Sequence, residues 1–380
     1  MRPSRLPILT CALLLAAGPL GASAAAPSGA PIHLAAIFST SGRYAPLGGP
    51  ERDAVLLAVD QINAAGGLNG HPVDIDVVDD QGRPDIASQL ATQEIGKGVV
   101  GIVGGTSTDC SAAIARVANE AKIPEFYTTP SSEVWNTRSG VAKYVFETNP
   151  NNAIEAPALL DFATKKLGAK KIAVIHDENA YGSEGAKIVE GLAKDHGVDI
   201  VTDQSYPGAS TDFTAQLVAI KNAGADTIVL WGAAAAPPLI VRGIRQLGLK
   251  VNVIGSNGIV SNLFLKVAGA AGDGVYSDTN IDYTHPTASQ KPFLAAYHAK
   301  YHATPANFAA YAYDGVALLA YAIRTSKQTG SEGIISALES MKALPLIAGT
   351  YHFTAQDHNG LRPSDVHLAV DKNAIWFNLD

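Results

Sequence analysis

Cysteine is almost missing from this chain. Cys11 and Cys110 are the only two in 380 residues. Cys11 falls in an N-terminal apolar run that export would remove, so the mature chain can form no internal disulfide. An excess of one charge is also lacking: 28 basic residues stand against 35 acidic ones, for a net charge of -7. Both signs are dispersed, which disfavours nucleic acid as a partner. After the first 24 residues no hydrophobic stretch reaches the ~20 residues of a membrane-spanning helix. Catalytic motifs are absent too. No Gly-x-Gly-x-x-Gly follows a strand, since the Gly101, Gly104, Gly105 spacing is wrong for a dinucleotide fingerprint, and there is neither a Gly-Lys-Ser/Thr phosphate loop nor a Gly-x-Ser-x-Gly elbow. A dehydrogenase or serine hydrolase is disfavoured, and no cofactor is implied.

What is present begins with Arg2 and Arg5 ahead of the apolar run 6–20, closed by the small residues Ala22, Ser23 and Ala24. This reads as a secretory signal peptide over 1–24, followed by an Ala/Pro/Ser/Gly leader over 25–31 that is expected to be disordered. Cys11 has too little chain before it to carry a lipid, so the signal points to release rather than anchoring.

The chain is too long for one ordinary core, which suggests two domains. Strands at 32–38, 73–78, 99–103 and 123–127 alternate with helices at 55–62, 84–96 and 112–118. That βαβ order calls for a parallel sheet covered on both faces. From residue 153 the same grammar restarts, with strands at 171–176, 198–203, 227–230 and 251–254. Polar or Gly-rich loops follow the strands of both units, and in open α/β sheets ligands bind at those carboxyl ends. A cleft between two such units is the expected site.

The turn after the third strand is the richest in donors. Gly104 and Gly105 end a short apolar run, and Thr106, Ser107, Thr108, Asp109 and Ser111 precede the next helix. A helix N-terminus carries unpaired N–H groups and the positive end of the dipole, so this turn could hold a carboxylate or phosphate without Lys or Arg. It fits a capped turn that binds nothing equally well. His298 and His302 stand four apart on a predicted helix, but no third ligand is evident, and a solvated face is the expected reading. Cys110 beside Asp109 reads as a small capping-turn residue, because the acidic neighbour raises rather than lowers a thiol pKa.

Taken together, Asp60–Gly70 (Asp-Gln-Ile-Asn-Ala-Ala-Gly-Gly-Leu-Asn-Gly), Asp79-Asp80, the Gly104 turn, His176–Gly182, Arg245–Leu249 and Tyr313-Asp314 carry a resemblance over nearly the whole mature chain. The sequence resembles the leucine/isoleucine/valine-binding proteins, type I periplasmic solute receptors of ABC importers. The resemblance implies an α/β fold of two doubly wound parallel-sheet lobes joined by three crossovers, a Venus-flytrap. It places the crossovers near Asn151, Thr279 and Leu361, with lobe 1 at 32–151 plus 280–361 and lobe 2 at 152–279 plus 362–380. It also implies a monomer in the periplasm, no metal, a small carboxylate ligand and a membrane permease as partner.

By the same resemblance, the ligand carboxylate meets Ser107, Thr108, Ser131 and Ser132 in lobe 1, and Tyr181 closes down from lobe 2. Tyr44 and Leu47 fall where the family offers an aromatic or apolar wall, and Tyr313 fits either the wall or the core. Two departures bear on the ligand. Amino-acid receptors of the family place a Glu where this chain has Asn257, and their pocket aromatic falls at about Ala235, inside an alanine run. A buried ammonium without a counter-charge is costly. The alanine run and Asp357–Gly360 resemble an aromatic-acid-binding subgroup, so an aromatic or keto acid is expected. Glu133, close to the Ser131 loop, could still receive an ammonium, which leaves an amino acid as the alternative. A sensor built on the same fold is a further reading; an enzyme comes third and is not expected, since no nucleophile and base pair is legible.

Overall fold

A computed structural model describes residues 26–137 and 139–379; the expected signal peptide lies outside them. The chain starts with β1 (Ile32–Phe38), α1 (Ala45–Ala64), β2 (Val73–Asp79), α2 (Pro84–Gly96), β3 (Ile102–Gly104), α3 (Thr108–Ala121) and β4 (Glu125–Tyr127). A ribbon of β5 (Asn136–Thr137) and β6 (Gly140–Val141) precedes β7 (Val145–Glu147). These make a parallel sheet in the order β2-β1-β3-β4-β7. Side chains alternate across it as the pleat requires. Leu34, Ala36 and Phe38 of β1 enter the core under α1, while Ala35 and Ile37 pack with Ala87, Ala91, Ile114 and Ala118 of α2 and α3.

The second unit contains α4 (Asn152–Lys165), β8 (Lys171–Asp177), α5 (Ala180–Ala193), β9 (Asp199–Tyr206), α6 (Thr214–Ala223), β10 (Thr227–Trp231), α7 (Ala236–Gln246), β11 (Asn252–Gly255), α8 (Asn262–Ala268) and β12 (Val275–Thr279). The chain then returns to the first lobe as α9 (Gln290–Tyr301), α10 (Asn307–Ser326) and α11 (Ser331–Glu339), with a ribbon of β13 (Leu344–Pro345) and β14 (Thr350–Tyr351). It finishes in the second lobe as β15 (His367–Asp371) and β16 (Trp376–Asn378). That sheet has the order β16-β15-β12-β11-β10-β8-β9. Its last two strands run antiparallel, an edge the strand-helix alternation did not disclose. Residues 28–30, expected to be disordered, are instead tied down: Ser28 and Gly29 donate N–H groups to the Gly70 carbonyl at 3.1 and 3.0 Å.

The crossovers are held by amide side chains. Asn149 donates from Nδ2 to the Thr128 carbonyl at 3.0 Å. Asn280 donates to the carbonyls of Ala348 at 3.0 Å and Asp365 at 2.7 Å, and its Oδ1 accepts from the Tyr311 hydroxyl at 2.6 Å. Asn359 donates to Glu147 Oε2 at 2.7 Å, and its Oδ1 accepts from the Leu361 N–H at 3.0 Å. All three are buried, where an unpaired backbone group is costly. Asn280→Ala strands two carbonyls and a hydroxyl and is expected to lower unfolding free energy by about 2 kcal/mol or more. Urea denaturation checks this; an unchanged midpoint would show that the Asn280 bonds contribute nothing.

Candidate ligand cleft

The β3–α3 turn sorts its hydroxyls. Gly105 takes a left-handed φ of 83°, and a side chain there would overlap Ser111, so the turn can form only with glycine at this place. Thr106 donates to Glu51 Oε2 at 2.6 Å and accepts the Ser39 N–H at 2.9 Å. Ser107 caps α3, its Oγ accepting the Cys110 N–H at 3.3 Å. Thr108 Oγ1 is buried with no partner at all. Thr108 is thus wholly free for a ligand, and Ser107, which only accepts, still has its proton to donate.

Thr108, Thr106 and Ser107 line a cavity with Tyr44, Thr129, Pro130 and Phe308 from the first lobe and Asn179, Tyr181 and Ala233 from the second. Its volume is about 10 Å³, room for roughly one water, so the lobes are closed. Asn179 caps α5 through Oδ1, which accepts the Gly182 N–H at 2.8 Å, and its Nδ2 reaches across the cleft to the Tyr44 hydroxyl at 2.9 Å. The Tyr181 hydroxyl is buried and has no hydrogen-bond partner. Its ring lies 6.2 Å from that of Trp231. The apolar core runs through Tyr44, Phe308, Tyr181 and Ala233 without a break between lobes. Beside the cavity a second space of about 420 Å³ is lined by Thr108, Asp109, Ser131 and Glu133 facing Ala180, Ser183, Glu184 and Lys187.

The remaining expected site residues separate. Ser131 is buried and Ser132 half-buried, and Glu133 is exposed at this side space. Leu47 is buried in α1 among core residues and does not line the cavity. Tyr313 belongs to the core between α10 and α1: its ring meets that of Phe293 at a 59° tilt, centroids 5.0 Å apart, and its hydroxyl donates to Gln61. Ala235 is exposed at the start of α7, because Ala234 turns the chain with a φ of 63°; Ala233 is the alanine at the cavity. Asn257 lies behind the cavity, its N–H donating to Glu155 and its Nδ2 to Asn149 Oδ1 at 2.9 Å. Phe308, Asn179 and Thr129 were not foreseen. Asn179 lay within the His176–Gly182 segment and caps a helix that begins at Ala180, whereas Phe308 reaches the cleft only because the chain returns to the first lobe.

Cys110 is buried, and burial with Asp80 close by pushes its thiol up, which leaves it inert. His302 is the left-handed C-cap beyond α9, so the two histidines do not share a helix face. Among the described residues no group of three His, Cys, Asp or Glu side chains could hold a metal.

Two lobes of mainly parallel sheet, joined by three crossovers and closed over a small cavity, define a type I periplasmic solute receptor. The chain belongs to the periplasmic binding protein family, whose profile matches residues 31–370. The Leu/Ile/Val-binding protein homolog 3 of Brucella melitensis is 27% identical over 326 residues, 86% of this chain and 88% of its own. The leucine-, isoleucine-, valine-, threonine- and alanine-binding protein of Pseudomonas aeruginosa is 25% identical over 309 residues, 81% of this chain and 82% of its own. Among solved structures, LivJ of Streptococcus pneumoniae in complex with isoleucine superposes with a TM-score of 0.83 at 26% identity, over 92% of this chain and 99% of that one. These relatives are solute-binding proteins of the branched-chain amino acid type.

Glu51, beneath the turn, is fully buried, and burial pushes its carboxyl up to about 8 against the pull of its bonds to Thr106 and Thr128. A folded-state pKa above the unfolded value means stability is fully present below pH ~4.5 and lost as pH rises through about 8. Wild-type melting temperature should therefore fall between pH 5 and 8.5, and Glu51→Gln should flatten part of that fall. Calorimetric scans at the two pH values check it; an identical slope in the variant would rule Glu51 out.

Proposed function

We propose that this chain is the periplasmic receptor of an ABC importer, a monomer released by its signal peptide, which captures a small carboxylate and presents it to a membrane permease. The lobes close about crossovers near Asn151, Thr279 and Leu361, and the carboxylate is held by N–H groups at the start of α3 and by Thr108, with Ser131 beside it. The ligand class is an aromatic or keto acid without an ammonium group.

The observation that carries this reading is the cavity wall: hydroxyls, one amide, the rings of Tyr44, Tyr181 and Phe308, Ala233, and no charged side chain. An ammonium buried there would have no counter-charge, whereas flat rings have partners to stack on. Glu51 adds to this. Raised to about 8, it is mostly neutral at pH 7 and does not oppose a carboxylate above it. A second reading, an amino acid, rests on Glu133 and Glu184 at the adjoining space beside Ser131.

Titration calorimetry with 4-hydroxybenzoate and with leucine decides between them. The aromatic acid is expected to bind at least tenfold tighter, and Thr108→Val should weaken it by about tenfold, the worth of one hydrogen bond to a charged group. Leucine binding tightly with no response to 4-hydroxybenzoate would overturn the aromatic reading, and a loss of that binding in Glu184→Gln would establish the second.

A further inference from the structure

Outside the cavity, one side chain of the first lobe is plugged into the second. Arg43 stands in the short 3-10 turn Gly42–Tyr44 between β1 and α1. Its guanidinium forms an ion pair with Asp177, the last residue of β8, whose side chain is only 1% exposed. The other oxygen of Asp177, Oδ1, accepts the Asn179 N–H at 3.2 Å. The guanidinium also lies against Gly208, where even a methyl group would overlap it, and 4.8 Å from the centre of the Tyr44 ring. Tyr206, the last residue of β9 and the strand-register partner of Asp177, stands beside it, fully buried and with no hydrogen-bond partner for its hydroxyl. Asp177, Tyr206 and Gly208 all belong to the second lobe, and none of them lines the ligand cavity.

We propose that Arg43 is a positioning residue: a latch whose insertion into the Asp177–Tyr206–Gly208 socket sets how long the closed cleft lasts, whatever ligand it holds. This rests on the reading of the cleft as a ligand trap. Asp177 is buried, and among the described residues the cation paired with it is Arg43, from the opposite lobe. Parting the lobes removes its counter-charge, so each opening must rehydrate a carboxylate and a guanidinium together. The Asn179–Tyr44 bond lies two residues further along on one side and one residue further on the other, so the latch and the cavity wall register together. An interaction made only in the closed state slows release more than it speeds capture. Because Arg43 does not line the cavity, it acts equally on every ligand and does not select among them.

The test uses Arg43→Ala, Asp177→Asn and Gly208→Val in the full mature chain, with urea melts to establish folding. Gly208→Val blocks the socket while leaving every charge in place. Stopped-flow release of 4-hydroxybenzoate and of leucine is expected to be at least tenfold faster in all three variants, with association within about threefold of wild type. The ratio of the two affinities should not change. Inter-lobe distances from spin labels, measured without ligand, are expected to show a closed population in wild type that the variants lose. This arm reads the latch even if neither compound binds. Unchanged distances together with unchanged release in Arg43→Ala and Gly208→Val would overturn the proposal. So would a changed affinity ratio, which would make Arg43 a ligand contact.

Discussion

The crossovers are the constraint on which the rest of this structure depends. Three segments of chain pass between two sheets, buried where the sheet ladders satisfy only some of their backbone groups, as at the Glu147–Asn359 bridge. Asn149, Asn280 and Asn359 meet that demand with amide side chains, which donate and accept at once. Asn257 joins the first of them to the second lobe through Asn149. Beside it lie two fully buried carboxyls, Glu155 and Asp278, at the start of α4 and the end of β12. Burial raises both, Glu155 further for having Asp278 as its neighbour. The crossover region is thus polar and hydrogen-bonded rather than an apolar contact, as a pivot for the proposed closure requires.

From that pivot the chemistry of the cleft follows. Each sheet directs the C-terminal ends of its strands toward the other, so the turns after β3 and β4 face those after β8 and β10. In the β3–α3 turn Thr106 and Ser111 donate internally, while Thr108 and the Ser107 proton are left toward the cavity. Glu51 below the turn is largely neutral near pH 7 because it is buried, although two hydroxyls bond to it. Glu51 therefore adds little negative charge beneath the α3 N-terminus, and the one acidic side chain in the first turn of α3 is Asp109, at the adjoining space. No Lys or Arg lines the cavity, so the carboxylate proposed above would be held by backbone N–H groups and hydroxyls.

Much of this was legible in the sequence, and the limits are instructive. Buried runs such as Ile32–Phe38 and Lys171–Asp177 announced parallel strands, because a strand covered on both faces has no polar side to show. Capping residues announced the turn at Thr108. What local pattern could not give is direction. Leu47 and Tyr313 lie on helices whose inner faces pack on one another, and only tertiary packing decides which aromatic looks into the cleft and which into the core. Ala235 was misplaced by two residues because Ala234 takes a left-handed conformation that no non-glycine sequence advertises. Asn257 stands where relatives carry a Glu in the resemblance, yet its amide serves the hinge.

The central claim is that the Thr108–Tyr181 cavity is a ligand site opened and closed by motion about the three crossovers. Small-angle X-ray scattering of the mature protein, with and without saturating 4-hydroxybenzoate, tests it most directly. The account predicts a smaller radius of gyration with ligand, and a liganded curve that matches the closed structure described here. An identical curve in both conditions, at a concentration where calorimetry shows full binding, would contradict it.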